Sequence, residues 1–192
     1  MSSSKSVVLI DEIENHIHPA LLRSLINNLR SKYKNLFVIA TSHSPVAINE
    51  IEIENVIDAE CGNISGLLDD RECIDKLNTF LHPGRAELML ADNIVVVEGT
   101  SEEIILRKHI ASNDKNITVV NAMGIMFEPY LTLAKVLKKK VIAISDNDRS
   151  QSDNGSGPSP RFNNLKAFCG EKDICIRSEE HTSELQSHEL IS

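Results

Sequence analysis

Three short apolar runs in this sequence each lead to an acidic residue. VVLI is followed directly by Asp11 and IVVV by Glu98, and one serine separates VIAI from Asp146. Continuous apolar runs of this length are typical of strands that are buried on both faces of a parallel sheet. Segments with apolar residues at helical spacing follow these runs, so that strands and helices alternate. The sequence therefore predicts an α/β fold with acidic side chains at the carboxyl ends of parallel strands.

The same patterns place the individual elements along the 192 residues. We predict strands at 7–10, 36–40, 94–97, 117–120 and 141–145, and helices at 19–33, from Pro45, at 101–110 and at 128–137. Glycines and His82-Pro83-Gly84 predict turns in a less regular stretch at 60–91, and 150–160 has the composition of a loop. A further helix and strand are expected to begin within 161–176. A domain boundary is predicted near Asp92, which gives one domain at 1–91 and a second at 92–176.

The first acidic pair, Asp11 and Glu12, stands at the end of a predicted strand. Open parallel sheets bind their ligands at the carboxyl ends of the strands. A carboxylate at this place can hold Mg²⁺, and its neighbour can orient or deprotonate an attacking water. An acidic pair also suits the passage from a strand into a helix, because acids stabilise a helix amino terminus. The pair alone leaves both interpretations open.

The longer pattern around this pair favours the functional interpretation. DEIENHIHP, followed by a helix, a strand and ATSHSP, resembles the Walker B, D-loop and switch-histidine segments of ABC-type ATPases of the OLD (overcoming lysogenisation defect) family. The resemblance implies that Asp11 binds the Mg²⁺ that accompanies ATP and that Glu12 activates water. It also implies that His43 senses the γ-phosphate and that His18 lies near a dimer partner. For His43 the alternative is a polar residue in a helix cap.

Other parts of an ATPase site are missing from the sequence. It contains no GxxxxGK[ST] loop to bind phosphates, and only MSSSKS precedes the first strand, where a complete signature segment would be needed. We therefore expect the chain to be a fragment that begins inside an ATPase domain. We also expect it to hydrolyse no ATP by itself, so that magnesium-dependent turnover by the purified chain would contradict the assignment of this motif.

A second acidic group combines two strand ends. Glu98 ends one predicted strand and Glu102 lies in the first turn of the helix after it, while Asp146 and Asp148 follow another strand at positions i and i+2. If these strands are neighbours, the four carboxylates converge and repel one another unless divalent cations neutralise them. Oxygen ligands select Mg²⁺ or Mn²⁺, and two such ions would stabilise the attacking and leaving oxygens of a phosphodiester. Alone, DND would suit a turn or a helix cap.

EGTSE and SDND, one strand-helix-strand-helix unit apart, resemble the Toprim domain, a Rossmann-like α/β domain of topoisomerases, primases and OLD nucleases. The junction PGRAELMLADNIVVVEG is similar to that of the OLD family, in which an ABC-type ATPase precedes Toprim, as it also does in the nuclease subunit of the Gabija phage-defence system. The resemblance implies that Glu98, Glu102, Asp146 and Asp148 are metal ligands and that Ser145 is an accessory one. It names Glu98, with Glu12 and His43, as candidate catalytic residues.

The function implied is that of a DNA endonuclease that depends on ATP and on Mg²⁺ or Mn²⁺. The implied partners are DNA, a second copy through the ATPase half and a helicase-like protein. One rival hypothesis is a non-nucleolytic ABC-type ATPase of DNA repair that clamps DNA or a partner, and another is a topoisomerase or primase. The acidic quartet favours the nuclease over the clamp, whereas DEIENHIHP disfavours the topoisomerase.

The net charge of −8 is unusual for a nucleic-acid-binding protein, because phosphate binding rewards clustered lysines and arginines. Residues 177–192 contribute to it with one arginine and four glutamates, and RSEEHTSELQSH resembles the translation of a sequencing adapter. We therefore predict a non-native tail at 177–192 and exclude it from the fold. The short apolar runs predict neither a membrane span nor a signal peptide, and the four scattered cysteines predict reduced thiols in a cytoplasmic protein.

Overall fold

The structure is a computed structural model that describes residues 6–33, 35–68, 70–79, 83–112, 117–124, 126–145, 165, 168 and 174–178. Strands and helices alternate over most of these residues, as the sequence predicts. The strands are β1 (Ser6–Ile10), β2 (Leu36–Ala40), β3 (Ile57–Asp58), β4 (Gly62–Asn63), β5 (Asn93–Val97), β6 (Thr118–Asn121), β7 (Lys140–Ser145) and β8 (Ile174–Ser178). The helices are α1 (Pro19–Lys32), α2 (Pro45–Asn49), α3 (Arg71–Thr79), α4 (Pro83–Leu90), α5 (Thr100–Ser112) and α6 (Phe127–Val136).

Two parallel sheets organise the described residues. β1 pairs with β2, and a four-stranded sheet has the order β6-β5-β7-β8. Every pairing within the larger sheet is parallel, so the carboxyl ends of its strands share one edge. The strands that precede Glu98 and Asp146 are direct neighbours, since Val97 lies opposite Ile144. The adjacency on which the predicted acidic group depends is thus confirmed.

The core of the larger sheet explains its apolar runs. One face packs beneath α3, α4 and α6, and the other packs against α5. The first cluster is centred on Leu77, Leu88, Val96, Phe127, Tyr130 and Leu133, and the second on Val95, Val97, Val119 and Ile144. Full burial of each large apolar side chain contributes about 1.5–3 kcal/mol. Packing on both faces therefore holds β5 and β7 in place and fixes the edge where they end.

The smaller sheet departs from the expectation of cover on both faces. One face packs on α1 and α2 through a cluster of Ile13, Leu22, Ile26 and Ala47. On the other face the paired side chains of Val7 and Phe37 are 62% and 61% exposed, and those of Leu9 and Ile39 are 73% and 49% exposed. The expectation is wrong within the described residues, because the helices that pack on these two strands lie on a single side.

The stretch at 60–91 contains two helices that the sequence patterns did not predict. Gly62 is the first residue of β4, directly after the turn that joins β3 to β4, and has a φ of +85°. Gly84, in contrast, lies in the first turn of α4 and is required by packing. A Cβ on it would lie 2.9 Å from the hydroxyl of Tyr130 and 2.9 Å from Cγ1 of Val120. Pro83 and Gly84 therefore begin a helix at a place where neighbouring side chains leave no room for a Cβ. In the sequence this pair of residues looks the same as the pair that is typical of a turn.

The predicted limits of the two domains stay predictions. The largest apolar cluster includes residues from both sides of Asp92, among them Ile53, Leu77 and Val96. At the other end, β8 extends through Arg177 and Ser178, the first two residues of the predicted tail, and pairs with β7. Among the described helices, none combines the length and the apolar character needed to cross a membrane.

Candidate functional site

The carboxyl ends of β1 and β2 form a polar group that we call the first acidic edge (Asp11, Glu12 and Thr41). The pairing of Ile10 with Ala40 places Asp11 beside Thr41. The hydroxyl of Thr41 donates to Oδ1 of Asp11 at 2.6 Å and accepts from the N–H of Glu12 at 2.8 Å. Thr41 thereby fixes Asp11 at the position where a strand end would present it to a ligand. All three residues are exposed.

Glu12 has an unusual backbone conformation at this edge. Its φ of +48° lies in the left-handed region, which is costly for residues other than glycine. Nδ2 of Asn15 donates to Oε2 of Glu12 at 2.6 Å, and the backbone N–H of Asn15 donates to the carbonyl of Glu12 at 2.9 Å. Residues held in such conformations often lie at functional sites. The strain and the fixed carboxylate are consistent with the role expected for Glu12.

His43 lies in the loop after β2, and Glu14 holds this loop. The N–H of His43 donates to Oε1 of Glu14 at 2.7 Å, and the hydroxyl of Ser42 donates to Oε2 at 2.7 Å. Burial acts to raise the pKa of the Glu14 carboxyl, but these two hydrogen bonds, together with the backbone N–H of Glu14 and the nearby His43, outweigh it, so the pKa lies below its ordinary value of 4.5. Both carboxylate oxygens of Glu14 are thus used to position the backbone that presents the exposed His43.

His18 has a local structural contact. It is the N-cap of α1, and its Nδ1 accepts a hydrogen bond from the N–H of Ala20 at 3.2 Å. An N-cap acceptor satisfies one of the backbone donors that the first turn of a helix leaves unpaired. The contact requires an unprotonated Nδ1 and leaves the other ring nitrogen for a different partner. The predicted position of His18 near a dimer partner stays a prediction.

The larger sheet carries the second acidic edge (Glu98, Gly99, Asn121 and Ser145). The hydroxyl of Ser145 donates to Oε2 of Glu98 at 2.8 Å across the paired ends of β7 and β5. Ser145 is only 1% exposed, whereas Glu98 is half-buried, so the contact is partly shielded from solvent. Asp146 and Asp148 lie outside the described residues. The structure therefore brings Glu98 into contact with the residue immediately before Asp146.

Glu102 lies over the turn that follows Glu98. A Cβ built on Gly99 would be 2.9 Å from Oε2 of Glu102, so the absence of a side chain at Gly99 leaves room for this carboxylate. Among the described residues no three acidic, histidine or cysteine side chains form a cluster that could hold a metal ion. Glu98 and Glu102 are two of the four ligands predicted from sequence. Their all-carboxylate chemistry fits a hard divalent cation.

A neighbouring network links α5 to β6. Glu103 accepts from Nε of Arg107 at 2.9 Å through Oε1 and from Nδ2 of Asn121 at 2.9 Å through Oε2. Arg107 also donates to the carbonyl of Val119 at 2.8 Å. The sequence patterns single out neither Glu103 nor Asn121. The only signal was the position of Asn121 directly after an apolar run, where a parallel strand ends.

Two family profiles match separate parts of the chain. Residues 1–49 match one described as an AAA domain, putative AbiEii toxin of a type IV toxin–antitoxin system. Residues 89–148 match the TOPRIM domain of proteins like the overcoming lysogenization defect protein. An AAA-type ATPase segment thus precedes an OLD-like Toprim segment. Each matched range contains one of the two acidic edges, and the Toprim range contains all four ligands predicted for the metal site.

Curated relatives match a stretch of 50 residues. The Retron Ec83 probable ATPase of Escherichia coli is 40% identical over that stretch, which is 26% of this chain and 9% of the relative. The Retron Vc95 probable ATPase of Vibrio cholerae is 32% identical over 50 residues, which is 26% of this chain and 10% of the relative. The match therefore spans about a tenth of the length of each of these relatives.

Proposed function

We propose that the chain forms part of a DNA endonuclease in which the AAA-type segment regulates a Toprim segment that cleaves phosphodiester bonds. One observation carries the proposal. The hydroxyl of Ser145 contacts the Glu98 carboxylate at 2.8 Å across neighbouring parallel strands. Asp146 follows Ser145 directly in the chain. The strand ends that carry the predicted acidic ligands therefore meet at one edge, where open parallel sheets bind their ligands.

In the Toprim segment, Glu98, Glu102, Asp146 and Asp148 would hold Mg²⁺ or Mn²⁺. Bound divalent ions would supply a Lewis acid for the phosphodiester and offset the repulsion between these carboxylates. Ser145 supports this role because its hydroxyl donates to Oε2 of Glu98 and so fixes this carboxylate at the end of β5. Glu102 supports it because its carboxylate is placed over Gly99, next to Glu98 in the chain.

In the AAA-type segment, Asp11 would hold the Mg²⁺ of ATP and Glu12 would orient the attacking water. His43 would contact the γ-phosphate and His18 would lie near a second copy of the chain. The hydrogen bond from Thr41 to Asp11 supports the first of these roles, because it fixes one carboxylate oxygen at the strand end. The hydrogen bond from the N–H of His43 to Glu14 supports the role of His43, because a residue that senses a phosphate needs a fixed loop.

The proposal extends to location and partners. The protein would act in the cytoplasm on DNA, assemble through its AAA-type half and work with a helicase-like protein. The retron names of the curated relatives support a role in phage defence. A phage challenge of cells that carry the wild-type gene or a Glu98→Gln variant would test this role, because the variant is expected to lose protection.

Plasmid cleavage tests the proposed activity. The product of the intact gene would be incubated with supercoiled plasmid, ATP and Mg²⁺ or Mn²⁺. We expect Glu98→Gln, Asp146→Ala and Asp148→Ala to reduce cleavage by at least about a hundredfold, because each removes a ligand. The matched control is Asp92→Asn, which changes an exposed carboxylate before β5, at the opposite end of the strand from Glu98, and is expected to cleave normally. Cleavage by the three ligand variants at the rate of the wild-type protein would overturn the nuclease assignment.

The alternative is an ATPase that clamps DNA or a partner without cutting. The names of the curated relatives favour it, since both are called probable ATPases. The same incubation separates the two functions. A clamp would retain circular DNA in an ATP-dependent manner, leave the plasmid intact and be insensitive to Asp148→Ala.

A further inference from the structure

Asn121 lies at the second acidic edge, where β6 ends beside β5, and is 8% exposed. Its Oδ1 accepts a hydrogen bond from the N–H of Met123 at 2.7 Å. Its Nδ2 donates to Oε2 of Glu103 at 2.9 Å and lies 3.5 Å from the hydroxyl oxygen of Thr100. The contact with a backbone N–H fixes the amide orientation, because a flipped amide would turn two donors toward each other. Asn121 therefore presents a donor to α5.

Glu103 uses its two oxygens for different partners. Oε2 receives Asn121, and Oε1 receives Nε of Arg107 at 2.9 Å. The guanidinium of Arg107 is fixed in turn by the carbonyl of Val119 in β6. Both arms of this network connect the first turns of α5 to β6, the strand next to β5. Because the carboxylate is satisfied from two directions, its position in the fold is well defined.

The network bears on Glu102 through the first turn of α5. This turn is weakly held by the backbone alone, since the first N–H groups of a helix have no partner inside it. Here the N–H of Glu103 donates to the carbonyl of Gly99 at a long 3.3 Å. Glu102 precedes Glu103 in the chain and directs its carboxylate over Gly99. Fixing the side chain of Glu103 restricts rotation and fraying of the turn, and so restricts the direction of Glu102.

We propose that Asn121 is a positioning residue for the metal site, which acts by holding Glu103 and thereby aiming the Glu102 carboxylate at the site that Glu98 faces. The inference rests on the proposed function, because it needs a metal to bind at the second acidic edge. Glu103 itself serves as a support and not as a ligand, since Asn121 and Arg107 use both of its oxygens.

An exchange of donor and acceptor tests the proposal. In Asn121→Asp a carboxylate faces Glu103. In Glu103→Gln the one amide oxygen is expected to stay with the charged donor Arg107, so that the amide NH₂ faces the donor of Asn121. Each single variant therefore loses the hydrogen bond between positions 103 and 121. The double variant restores it in reverse, because the new amide at position 103 donates to the new carboxylate at 121. The amide oxygen at 103 still accepts from Arg107, and the carboxylate at 121 still accepts from Met123. Double-mutant logic therefore isolates this one contact.

Binding of Mn²⁺ is the direct readout, measured by the electron paramagnetic resonance signal of the free ion. All variants would be made in an Asp11→Asn background, which removes the ligand proposed for the nucleotide site. We expect each single variant to weaken Mn²⁺ binding by about tenfold, as loss of a group that orients a metal ligand does, and the double variant to recover to within about threefold. Melting temperatures of the same variants separate a general loss of stability from a specific effect.

The outcomes distinguish the inference from the function on which it rests. If the Asp11→Asn protein binds no Mn²⁺, or if Glu98→Gln leaves its binding unchanged, the proposed metal site is wrong. If the site binds Mn²⁺ but the single variants bind it as tightly, Asn121 has no positioning role, even if their melting temperatures fall. The same conclusion follows if the double variant binds as weakly as the singles. Glu103 is 24% exposed, so a folded Glu103→Gln protein is expected even if Asn121→Asp fails to fold.

Discussion

Glu14 shows how a single residue can prepare a site without touching a ligand. Its carboxylate accepts from Ser42 and from the N–H of His43, and the pair of contacts keeps the pKa of Glu14 low. The ionised form is therefore the one that the folded state stabilises. A group with a lowered folded-state pKa adds stability above its unfolded pKa, and this stability is lost as the pH falls through the folded value.

Glu14→Gln should reveal this contribution. At pH 7 we expect the variant to have a free energy of unfolding lower than wild type by about 1–2 kcal/mol, because a charged acceptor of two hydrogen bonds is lost. The difference should persist down to the ordinary pKa of 4.5 and shrink below it, as Glu14 of the wild type becomes protonated. Urea denaturation between pH 7 and pH 3 measures it. Glu60→Gln, at an exposed glutamate, is the matched control, and a difference that does not change with pH would contradict the account.

Some functional residues at the strand ends can be predicted from the sequence, and others cannot. Glu98 and Glu102 follow from local patterns, because a strand end and the first turn of the next helix are both visible in a few letters. Thr41 lies 30 positions from Asp11, and Ser145 lies 47 positions from Glu98. Such contacts depend on which strands are neighbours, which is a property of the whole sheet. Local patterns could therefore identify the acids but not these two hydrogen bonds. Ser145 was predicted only through the resemblance to Toprim, as an accessory metal ligand and not as a donor to Glu98.

At the scale of elements, Arg85 of α4 joins three segments. Its side chain is fully buried and donates to the carbonyls of Leu77, Ile48 and Ile51 at 3.1, 2.5 and 2.8 Å. These carbonyls lie at or after the carboxyl ends of α3 and α2, where helices leave acceptors without partners. Arg85 thus connects the carboxyl end of α2, the helix that follows the His43 loop, to the core that packs beneath the second acidic edge.

Replacing Arg85 by methionine should therefore be costly. The change keeps most of the side-chain volume but leaves three carbonyls without their donor, so we expect a loss of about 3 kcal/mol in the free energy of unfolding. Denaturation with urea measures this loss. Arg71→Met is the matched control, because the Arg71 side chain is 74% exposed and its ion pairs are expected to contribute less than about 1 kcal/mol. Equal effects of the two substitutions would show that Arg85 does not support these helix ends.

The elements that sequence patterns missed share one cause. α4 begins at Pro83 and Gly84, a pair that is common in turns, and α3 follows a glycine-containing stretch. Gly84 is required by contacts with Tyr130 and Val120, which come from elements much later in the chain. The limits of α1, α5 and α6 were predicted within about two residues. For α1 the reason is the helical spacing of its apolar residues, which is a local property.

At the scale of the whole molecule, the two acidic edges lie at equivalent places on separate parallel sheets. Each is found where paired strands end, and each has a hydroxyl that donates to a carboxylate, from Thr41 to Asp11 and from Ser145 to Glu98. The order of an AAA-type segment and a Toprim segment places the two edges in one chain. The central claim is that the second acidic edge gathers carboxylates from two neighbouring strands around divalent ions.

Anomalous diffraction from crystals of the protein grown with Mn²⁺ tests this claim most directly. We expect an anomalous peak within about 2.5 Å of carboxylate oxygens of Glu98 and of Asp146 or Asp148, and its loss in crystals of Glu98→Gln. A map in which Mn²⁺ binds elsewhere, with the carboxylates of Asp146 and Asp148 directed away from Glu98, would contradict the account.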